Sequence, residues 1–365
     1  MKIWWKSIIF IFVLISCQHK NDNPYLIDLE NQLQSNQRCT LSDLADSISY
    51  IFLETSDNSL LPNISAIVYL DSNDIFVRGG NYVYRFSGIG KFLNRIGAVG
   101  MGPKEYPSLQ EVSIDPYNKQ LLLLSQSGHV YIYGYDGNFV KKLHLEGEIS
   151  AINSLNDNSF VCEVRDYNDS YRSSLIQFDK DGAVIKKIEI EKDNLNFSRS
   201  LQTVSLMFNT NNSIKFKSLY NDTLFSYNKL QLTPHKILNL GRLSPSRDLI
   251  ENVDKKNELL SKYAQIVDIV ESENYLFLLI IMNEKLNGVI VDKDNNKVVY
   301  NQEIENPRAG GGIDNDLNNS GKFWPMLSSN NQKNSVVQLV HPVYTKMENT
   351  LTDDANPILQ VVYLK

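Results

Sequence analysis

Short runs of β-branched and aromatic residues, separated by turns that contain Gly, Asp or Asn, follow one another along most of the chain. The runs at residues 75–77 and 121–124 lie at the same position upstream of the turns that follow them. Residues 121–124 are four leucines without alternation, which is typical of an inner strand covered on both faces. The runs beside the turns have the length and composition of hairpin strands. The pattern therefore predicts an all-β protein.

Three segments of the chain repeat one another. Residues 84–96, 131–143 and 176–188 align at offsets of 47 and 45 residues. Three aligned positions keep the same kind of residue in all three segments. The first is aromatic (Phe86, Tyr133 and Phe178), the second is a turn glycine (Gly90, Gly137 and Gly182), and the third is a branched aliphatic residue (Ile96, Leu143 and Ile188). Each segment predicts a hairpin whose glycine adopts positive φ. Four strands in about 46 residues is the size of a propeller blade.

Later segments fit the same unit less regularly. The fourth, fifth and sixth units are assigned to the following ranges: 214–240; 267–304; and 324–340 with 357–364, completed by 48–53 from the N-terminal side. Six periods of about 46 residues leave room for loops, whereas seven leave too little. Because stacked blades bury faces that one blade cannot cover, residues 40–365 are predicted to form a six-bladed β-propeller of four-stranded antiparallel blades.

One segment departs from the strand pattern. Residues 246–264 follow Pro245 and place apolar residues at helical spacing, for example at Leu249, Ile250 and Val253. The segment also accounts for the long interval between the fourth and fifth units. We therefore predict one inserted helix at about 246–264.

The N-terminus has the pattern of an export signal. Lys2 and Lys6 precede an apolar run that would span only about 14 Å as a helix, roughly half of the ~30 Å hydrocarbon core of a bilayer. Leu-Ile-Ser-Cys at residues 14–17 resembles the lipobox of bacterial lipoproteins. This resemblance implies a signal peptide at 1–16, lipidation of Cys17 and a polar tether at 17–39. The alternative is an ordinary signal peptide with a chance cysteine.

A lipid anchor would make the membrane the first partner of the chain. Acyl chains on Cys17 would be enough for stable attachment, and the predicted location is the outer membrane of the cell envelope. The tether lacks a dense acidic run, so the sequence leaves the periplasmic and the surface face open. No other apolar run is long enough to span a bilayer.

Composition narrows the protein class further. Of the 365 residues, 42% are apolar and 10% aromatic, which excludes a disordered chain. The formal net charge of −6 predicts no broad attraction to nucleic acid. Three cysteines exclude a disulfide-built scaffold. Cys39 and Cys162 could pair in an oxidising envelope, although two buried or half-exposed thiols are favoured.

Three segments resemble the Bacteroidetes six-bladed β-propeller lipoproteins. These are residues 40–55, residues 90–106 with their Gly-x-Gly-Pro-x-Glu-Tyr pattern, and residues 313–316 together with Phe-Trp-Pro at 323–325. The resemblance covers about residue 27 to the C-terminus and departs at Lys104, where a small residue is commoner. It implies NHL-like blades, which in other proteins mostly bind proteins, glycans or nucleic acid. The family itself has no settled activity.

Candidate binding residues lie in predicted loops, where propellers gather ligand-binding groups around the axis. Trp324 is the only tryptophan outside the signal peptide, and an exposed Trp beside charged residues is typical of a sugar or peptide platform. The alternative is an aromatic plug between blades. The predicted site comprises the following residues: Trp324, Phe323, Asp314, Asp316, Arg78, Glu105 and Tyr106.

The sequence favours a binding or scaffold module for a glycan, a peptide or an envelope protein. It holds no zinc-protease, Cys-x-x-Cys, nucleophile-elbow or P-loop motif, so no catalytic residue, metal or cofactor is predicted. One alternative is a metal-dependent lactonase-like hydrolase or a lyase, with ligands at inner strand ends such as Glu111, Asp71, Asp268 and Asn153. Such residues are more often turn caps. Another alternative is a sensor that signals through the tether.

Overall fold

The structure is a computed structural model. It describes the following residues: 23–62, 65–126, 128–155, 157–166, 172–192, 205–210, 213–218, 221–246, 262–307, 310–318, 321–328, 334–340 and 355–365. The helices are short: α1 (Leu29–Gln32), α2 (Leu41–Leu44) and a 3-10 turn at Gly241–Leu243. The strands in chain order are β1 (Leu26–Asp28), β2 (Ala45–Phe52), β3 (Ser65–Leu70), β4 (Asp74–Gly79), β5 (Tyr82–Ser87), β6 (Phe92–Ile96), β7 (Glu111–Asp115), β8 (Gln120–Leu124), β9 (His129–Gly134), β10 (Phe139–His144), β11 (Glu148–Leu155), β12 (Ser159–Asp166), β13 (Arg172–Asp179), β14 (Val184–Lys192), β15 (Leu206–Thr210), β16 (Ser213–Lys217), β17 (Thr223–Asn228), β18 (Gln231–Asn239), β19 (Gln265–Glu271), β20 (Tyr275–Met282), β21 (Lys285–Asp292), β22 (Lys297–Glu303), β23 (Ile313–Asp314), β24 (Lys322–Phe323), β25 (Leu327–Ser328), β26 (Ser335–Val340) and β27 (Ile358–Leu364).

Six antiparallel sheets of four strands form the body of the protein. Blades 1 to 5 are β3–β6, β7–β10, β11–β14, β15–β18 and β19–β22, and blade 6 is β25, β26 and β27 with β2 as its fourth strand. The first strand of each blade lies beside the first strand of the next, and β25 of blade 6 lies beside β3 of blade 1. The six first strands therefore form a closed ring. This confirms the predicted all-β, six-bladed propeller.

The two ends of the ring carry different connections. In an antiparallel blade the turns from first to second strand and from third to fourth strand lie at the same end, and we call that end of the ring the turn face. The opposite end, which carries the blade-to-blade connections, is the loop face. Gly90, Gly137 and Gly182 in three turns of the turn face have φ of +85°, +86° and +88°, which confirms the positive φ predicted from the repeat.

The hydrophobic core lies between the blades. The described residues form six apolar clusters, and each cluster joins side chains of two neighbouring blades. At the junction of blades 1 and 2, for example, Phe76 of β4 packs with Leu123 of β8, and both are fully buried. Each blade is thus stabilised on both faces by its neighbours.

The part of the chain that packs on the ring begins at a lower residue number than the sequence predicted. β1 pairs in parallel with β18, so that blade 4 has a fifth strand, and Ile27 and Leu29 are fully buried. The prediction of a polar tether over 17–39 is therefore wrong from Leu26 onwards. A three-residue strand followed by one helical turn has too little periodicity to stand out in the sequence.

Blade 6 combines strands from the N-terminal and the C-terminal parts of the chain. β2 pairs antiparallel with β27 from Ala45 opposite Leu364 to Phe52 opposite Ile358, and the backbone N–H of Lys365 donates to Leu44 O at 3.0 Å. The predicted completion of the last blade by the N-terminal strand is confirmed. The predicted helix at 246–264 lies almost entirely outside the described residues.

The two cysteines of the body are free thiols, as favoured from the sequence. Cys39 is partly buried and Cys162 is buried in β12. Burial raises the pKa of Cys39 to about 12 and raises that of Cys162 as well, so both remain protonated at neutral pH.

A core substitution in blade 6 tests the importance of the junctions. Leu359 of β27 is fully buried between blades 6 and 1, and Leu359→Ala should lower the free energy of unfolding by about 2–5 kcal/mol because it leaves a cavity. Chemical denaturation measures this. Leu93→Ala, which truncates an exposed side chain, is the control and should change stability by less than about 0.5 kcal/mol. Equal effects of the two variants would contradict the described packing.

Candidate functional site

The seven residues predicted as a binding site fall into two groups. Arg78, Glu105 and Tyr106 lie at the junction of blades 1 and 2, whereas the other four lie between blades 5 and 6. The structure therefore does not assemble them into one pocket, and most of them hold neighbouring blades or loops together.

Arg78 ties blade 1 to the loop that enters blade 2. Its guanidinium donates to Leu109 O and Gln110 O, each at 2.7 Å, and to Gly80 O at 3.1 Å. Burial lowers the pKa of Arg78, and the carboxylate of Glu111 opposes that effect. The side chain is thus committed to backbone carbonyls.

The Gly-x-Gly-Pro-x-Glu-Tyr motif builds the same junction. Tyr106 is fully buried, donates to Asn81 O at 2.8 Å and packs edge-on against Tyr133. The Glu105 carboxylate accepts from the Gly102 N–H at 2.9 Å, and a Cβ at Gly100 would overlap that carboxylate. The motif therefore encodes the packing of a loop, which explains its residue pattern without a ligand.

The prediction of an exposed aromatic platform at Trp324 is wrong. Trp324 is 1% exposed and Phe323 is fully buried. The indole packs edge-on against Phe277 at 6.0 Å and at a tilt against Tyr300 at 6.3 Å between ring centroids. A Cβ at Gly288 would lie 2.6 Å from the indole. Trp324 is thus the aromatic plug between blades 5 and 6 that was the alternative.

The two aspartates of this region are exposed but have different surroundings. Asp316 accepts from the Thr40 hydroxyl at 2.8 Å and from the Ser42 N–H and hydroxyl at 2.9 and 2.6 Å. The bonds from Ser42 and Thr40 lower the pKa of Asp316 to about 2. Asp316 therefore fixes the start of α2. Asp314 lines a separate cavity of about 360 Å³ with Arg38 and Lys322, and a binding role for it stays a prediction.

Two grooves open on the turn face on either side of blade 3. The larger, about 650 Å³, lies between blades 3 and 4, and we call it the blade 3–4 groove. The smaller, about 250 Å³, lies between blades 2 and 3 and shares Ser154 with it. Amide, hydroxyl and carboxylate groups line the inner part of the larger groove: Ser154, Asp157, Gln177, Asn209, Tyr227 and Asn228. Ile185 and Leu230 stand at its outer end.

A chain of hydrogen bonds fixes the floor of the blade 3–4 groove. The Tyr227 hydroxyl donates to Gln177 Oε1 at 2.6 Å, Gln177 Nε2 donates to Ser159 Oγ at 2.6 Å, and the Ser159 hydroxyl donates to Asp157. Burial raises the pKa of Tyr227 to about 12, which keeps its phenol protonated as a donor. The floor therefore presents polar groups in fixed orientations before any ligand arrives, which lowers the entropy cost of binding.

Sequence reasoning missed this groove. Its residues come from four hairpins that are far apart in the chain, and only the blade register brings them together. The available signal was the density of asparagine in two short stretches of the sequence, at positions 156 and 158 and at positions 209, 211 and 212.

The residues considered as metal ligands do not gather around the axis. Asp71 caps a turn by accepting from the N–H groups of Asn73 and Asp74, each at 2.8 Å, and Asn153 Nδ2 donates to Met207 O at 3.3 Å. Asp268 Oδ1 accepts from the N–H of the next residue. In the part of the chain that the structure describes, no three His, Cys, Asp or Glu side chains are grouped so as to hold a metal ion.

Glu111 is the most perturbed carboxyl near the axis. Burial raises its pKa to about 8, against the lowering effect of the Ile152 N–H, which donates to Glu111 Oε2 at 3.2 Å. Nearby, Glu163 is fully buried, accepts from Ser173 at 2.8 Å and Ser205 at 2.7 Å, and pairs with Arg165 at 3.1 Å. This polar cluster joins the loop-face ends of blades 3 and 4.

The fold and the interblade motifs define a six-bladed propeller, and comparison places it in a family. A family model described as "Domain of unknown function (DUF4934)" matches residues 24–363, and the chain belongs to that family. None of the curated proteins compared matches the chain.

Two solved structures share the fold. One, described as a "Putative exported protein" from Bacteroides fragilis NCTC 9343, aligns over 93% of this chain and 99% of its own length, with 19% identity and a TM-score of 0.70. The other, a member of the DUF4221 family from Bacteroides vulgatus ATCC 8482, aligns over 88% of this chain and 97% of its own, with 9% identity and a TM-score of 0.50. Among the described residues, no helix is long and apolar enough to cross a membrane.

Removing the Trp324 plug should destabilise the protein. Trp324→Ala should lower the free energy of unfolding by about 3–5 kcal/mol, because the indole fills the junction of blades 5 and 6. Met101→Ala removes an exposed side chain and is the control in the same denaturation experiment. If Trp324→Ala were as stable as the control, the indole would not be part of the core.

The raised pKa of Glu111 predicts a pH dependence of stability. An unfolded chain releases this proton near pH 4.5 and the folded chain near pH 8, so stability should fall as pH rises between these values. Glu111→Gln should remove the contribution of Glu111 to this loss of stability, and the variant should be more stable than the parent at pH 8. Thermal melts from pH 4.5 to 8.5 measure the difference, with Glu303→Gln as an exposed control. Parallel pH profiles of parent and Glu111→Gln would contradict the assignment.

Proposed function

We propose that this protein is an exported, lipid-anchored binding module that holds a glycan in the blade 3–4 groove. The observation that carries the proposal is the groove itself, a cavity of about 650 Å³ lined by side chains from four hairpins. Open clefts of this size that combine fixed polar groups with apolar ends are typical of ligand sites.

The chemistry of the lining favours a sugar chain. The groove carries several neutral amides and hydroxyls but few charges, with Asp157 as the carboxylate and Lys229 as the cation. Amides and hydroxyls both donate and accept hydrogen bonds, which matches the hydroxyl groups of a glycan. Ile185 and Leu230 supply apolar contact at the outer end.

Export and anchoring rest on the N-terminal sequence. The pattern of residues 1–16 and Cys17 supports a signal peptide and lipidation, and the likeness to a structure described as a putative exported protein supports the same compartment. Attachment to a membrane would keep the groove near envelope glycans.

A glycan array probed with the detergent-solubilised chain tests the groove. Asn209 is exposed on β15, and Asn209→Ala should weaken glycan binding about 3- to 10-fold, as expected when one hydrogen bond of about 1 kcal/mol is lost. Asn295→Ala, in a turn of blade 5 outside the groove, is the matched control and should bind as the parent does. Peptide binding with no glycan binding, or equal affinities for the two variants, would count against the proposal.

Fractionation of cells tests the anchor. Cys17→Ala should move the protein from the membrane fraction to the soluble fraction, because no thiol remains to carry the lipid. Cys39→Ala is the control and should stay in the membrane fraction. Membrane retention of Cys17→Ala would refute the lipid anchor while leaving the groove proposal open to its own test.

A further inference from the structure

A second cavity lies at the outer strand of blade 5 and shares no lining residue with the blade 3–4 groove. Three segments form its walls: β22, residues 38–43 at the start of α2, and the hairpin of β23 and β24. Its volume is about 360 Å³, within the range of about 300–1,000 Å³ that is typical of small-molecule sites. We call it the hairpin cavity.

Hydrogen bonds hold the walls of the hairpin cavity in place. Gln37 O accepts from the backbone N–H of Asn301 and from Gln302 Nε2, each at 3.0 Å, and these bonds fix the segment before α2 on β22. Asp316, which follows β23, accepts from the Thr40 hydroxyl at 2.8 Å and so joins the same segment to the hairpin. The protein therefore fixes the shape of the cavity before any ligand arrives, which lowers the entropy cost of binding.

The lining of the cavity carries charges of both signs that are not paired. Asp314 and Lys322 stand directly opposite each other in the pairing of β23 with β24, and both line the cavity. Opposite charges at such positions usually attract each other, but neither side chain makes an ion pair or a hydrogen bond with the residues that the structure describes. Arg38 adds a second cation, and its Nε donates to a neutral group, Gln302 Oε1, at 3.3 Å. The cavity thus offers two cations and one carboxylate to a ligand.

The other two carboxylates of the lining are already engaged. Asp43 accepts from the backbone N–H of Thr40 at 2.8 Å, and Glu303 pairs with Lys285 at 2.6 Å. These local contacts leave Asp314 as the carboxylate that is open to a positive group of a ligand.

The hydroxyl of Tyr300 is an independent indication of a ligand. Tyr300 lines the cavity and is 6% exposed, yet its hydroxyl makes no hydrogen bond with the described residues. Buried tyrosine hydroxyls usually have a partner. Burial raises the pKa of Tyr300 to about 12, with smaller contributions from Cys39 and Asp314. The phenol therefore stays protonated at neutral pH and can donate to a group in the cavity.

We propose that the hairpin cavity binds a free α-amino acid, a small zwitterion whose two charges match those of the walls. Arg38 and Lys322 hold the α-carboxylate, because the planar donors of a guanidinium match the two oxygens of a carboxylate. Asp314 holds the α-ammonium group, and Tyr300 donates to the carboxylate. A neutral glycan would leave these charges unpaired, so this site is distinct from the blade 3–4 groove. It depends neither on that groove nor on the lipid anchor.

Titration calorimetry of the detergent-solubilised chain with the common L-amino acids tests the proposal. At least one of them should bind. Its N-acetyl derivative, which lacks the ammonium group, and its amide, which lacks the carboxylate, should each bind about 10- to 100-fold more weakly, because each loses a charge-assisted hydrogen bond. If no amino acid binds, or if either derivative binds as tightly as the free amino acid, the proposal is wrong.

Variants of the lining assign the contacts. Asp314→Asn should weaken amino-acid binding about 10- to 100-fold. Asp57→Asn, which changes an exposed carboxylate outside the cavity, is the matched control and should bind as the parent chain does. Tyr300→Phe should weaken binding about 3- to 10-fold without lowering the melting temperature, because the lost hydroxyl has no partner among the described residues. Equal affinities of Asp314→Asn and Asp57→Asn would refute the site, and a lower melting temperature of Tyr300→Phe with unchanged affinity would refute the contact of the phenol.

The two proposed sites can be separated with the same material. Asp314→Asn should leave glycan binding unchanged, and Asn209→Ala should leave amino-acid binding unchanged, because the two cavities share no lining residue. If Asn209→Ala abolished amino-acid binding, the ligand would lie in the blade 3–4 groove, and the hairpin cavity would be refuted as its site.

Discussion

The structure depends on one constraint, which is that a four-stranded blade has two apolar faces and can cover neither by itself. The six clusters of the described core each lie between two blades, so each blade is stable only with both neighbours in place. A ring satisfies this requirement at every junction. Pairing of β2 with β27 closes that ring with hydrogen bonds between two strands that are about 300 residues apart in the chain.

The same constraint explains most of the distinctive residues. Arg78 and Tyr106 bind the backbone across the junction of blades 1 and 2, and Trp324 fills the junction of blades 5 and 6. These residue types would suit a binding site equally well, because aromatic rings and arginine stabilise both interfaces and cores. Their hydrogen bonds and burial assign them to blade packing.

The periodic part of the fold could be predicted from the sequence, and the contacts between distant residues could not. Turn glycines such as Gly137 mark the hairpins because only a residue that tolerates positive φ fits there, and the repeat length then gives the number of blades. The burial of Trp324 depends on the absence of a side chain at Gly288, because a Cβ there would overlap the indole. No local sequence pattern indicates this contact. The groove likewise combines Ser154, Gln177 and Asn209 from three separate hairpins, and β1 was missed because three residues carry almost no periodic signal.

The two faces of the ring differ, with short turns and the grooves on one side and the blade-to-blade connections on the other. This arrangement requires a ring in which β2 and β27 pair to complete blade 6. Hydrogen exchange of the backbone amides of β2 and β27 tests that closure most directly. The account predicts that both strands exchange only with the global unfolding of the ring, at the same rate as the inner strands of blades 1 to 5. Fast exchange of β2 while the other blades remain protected would contradict it.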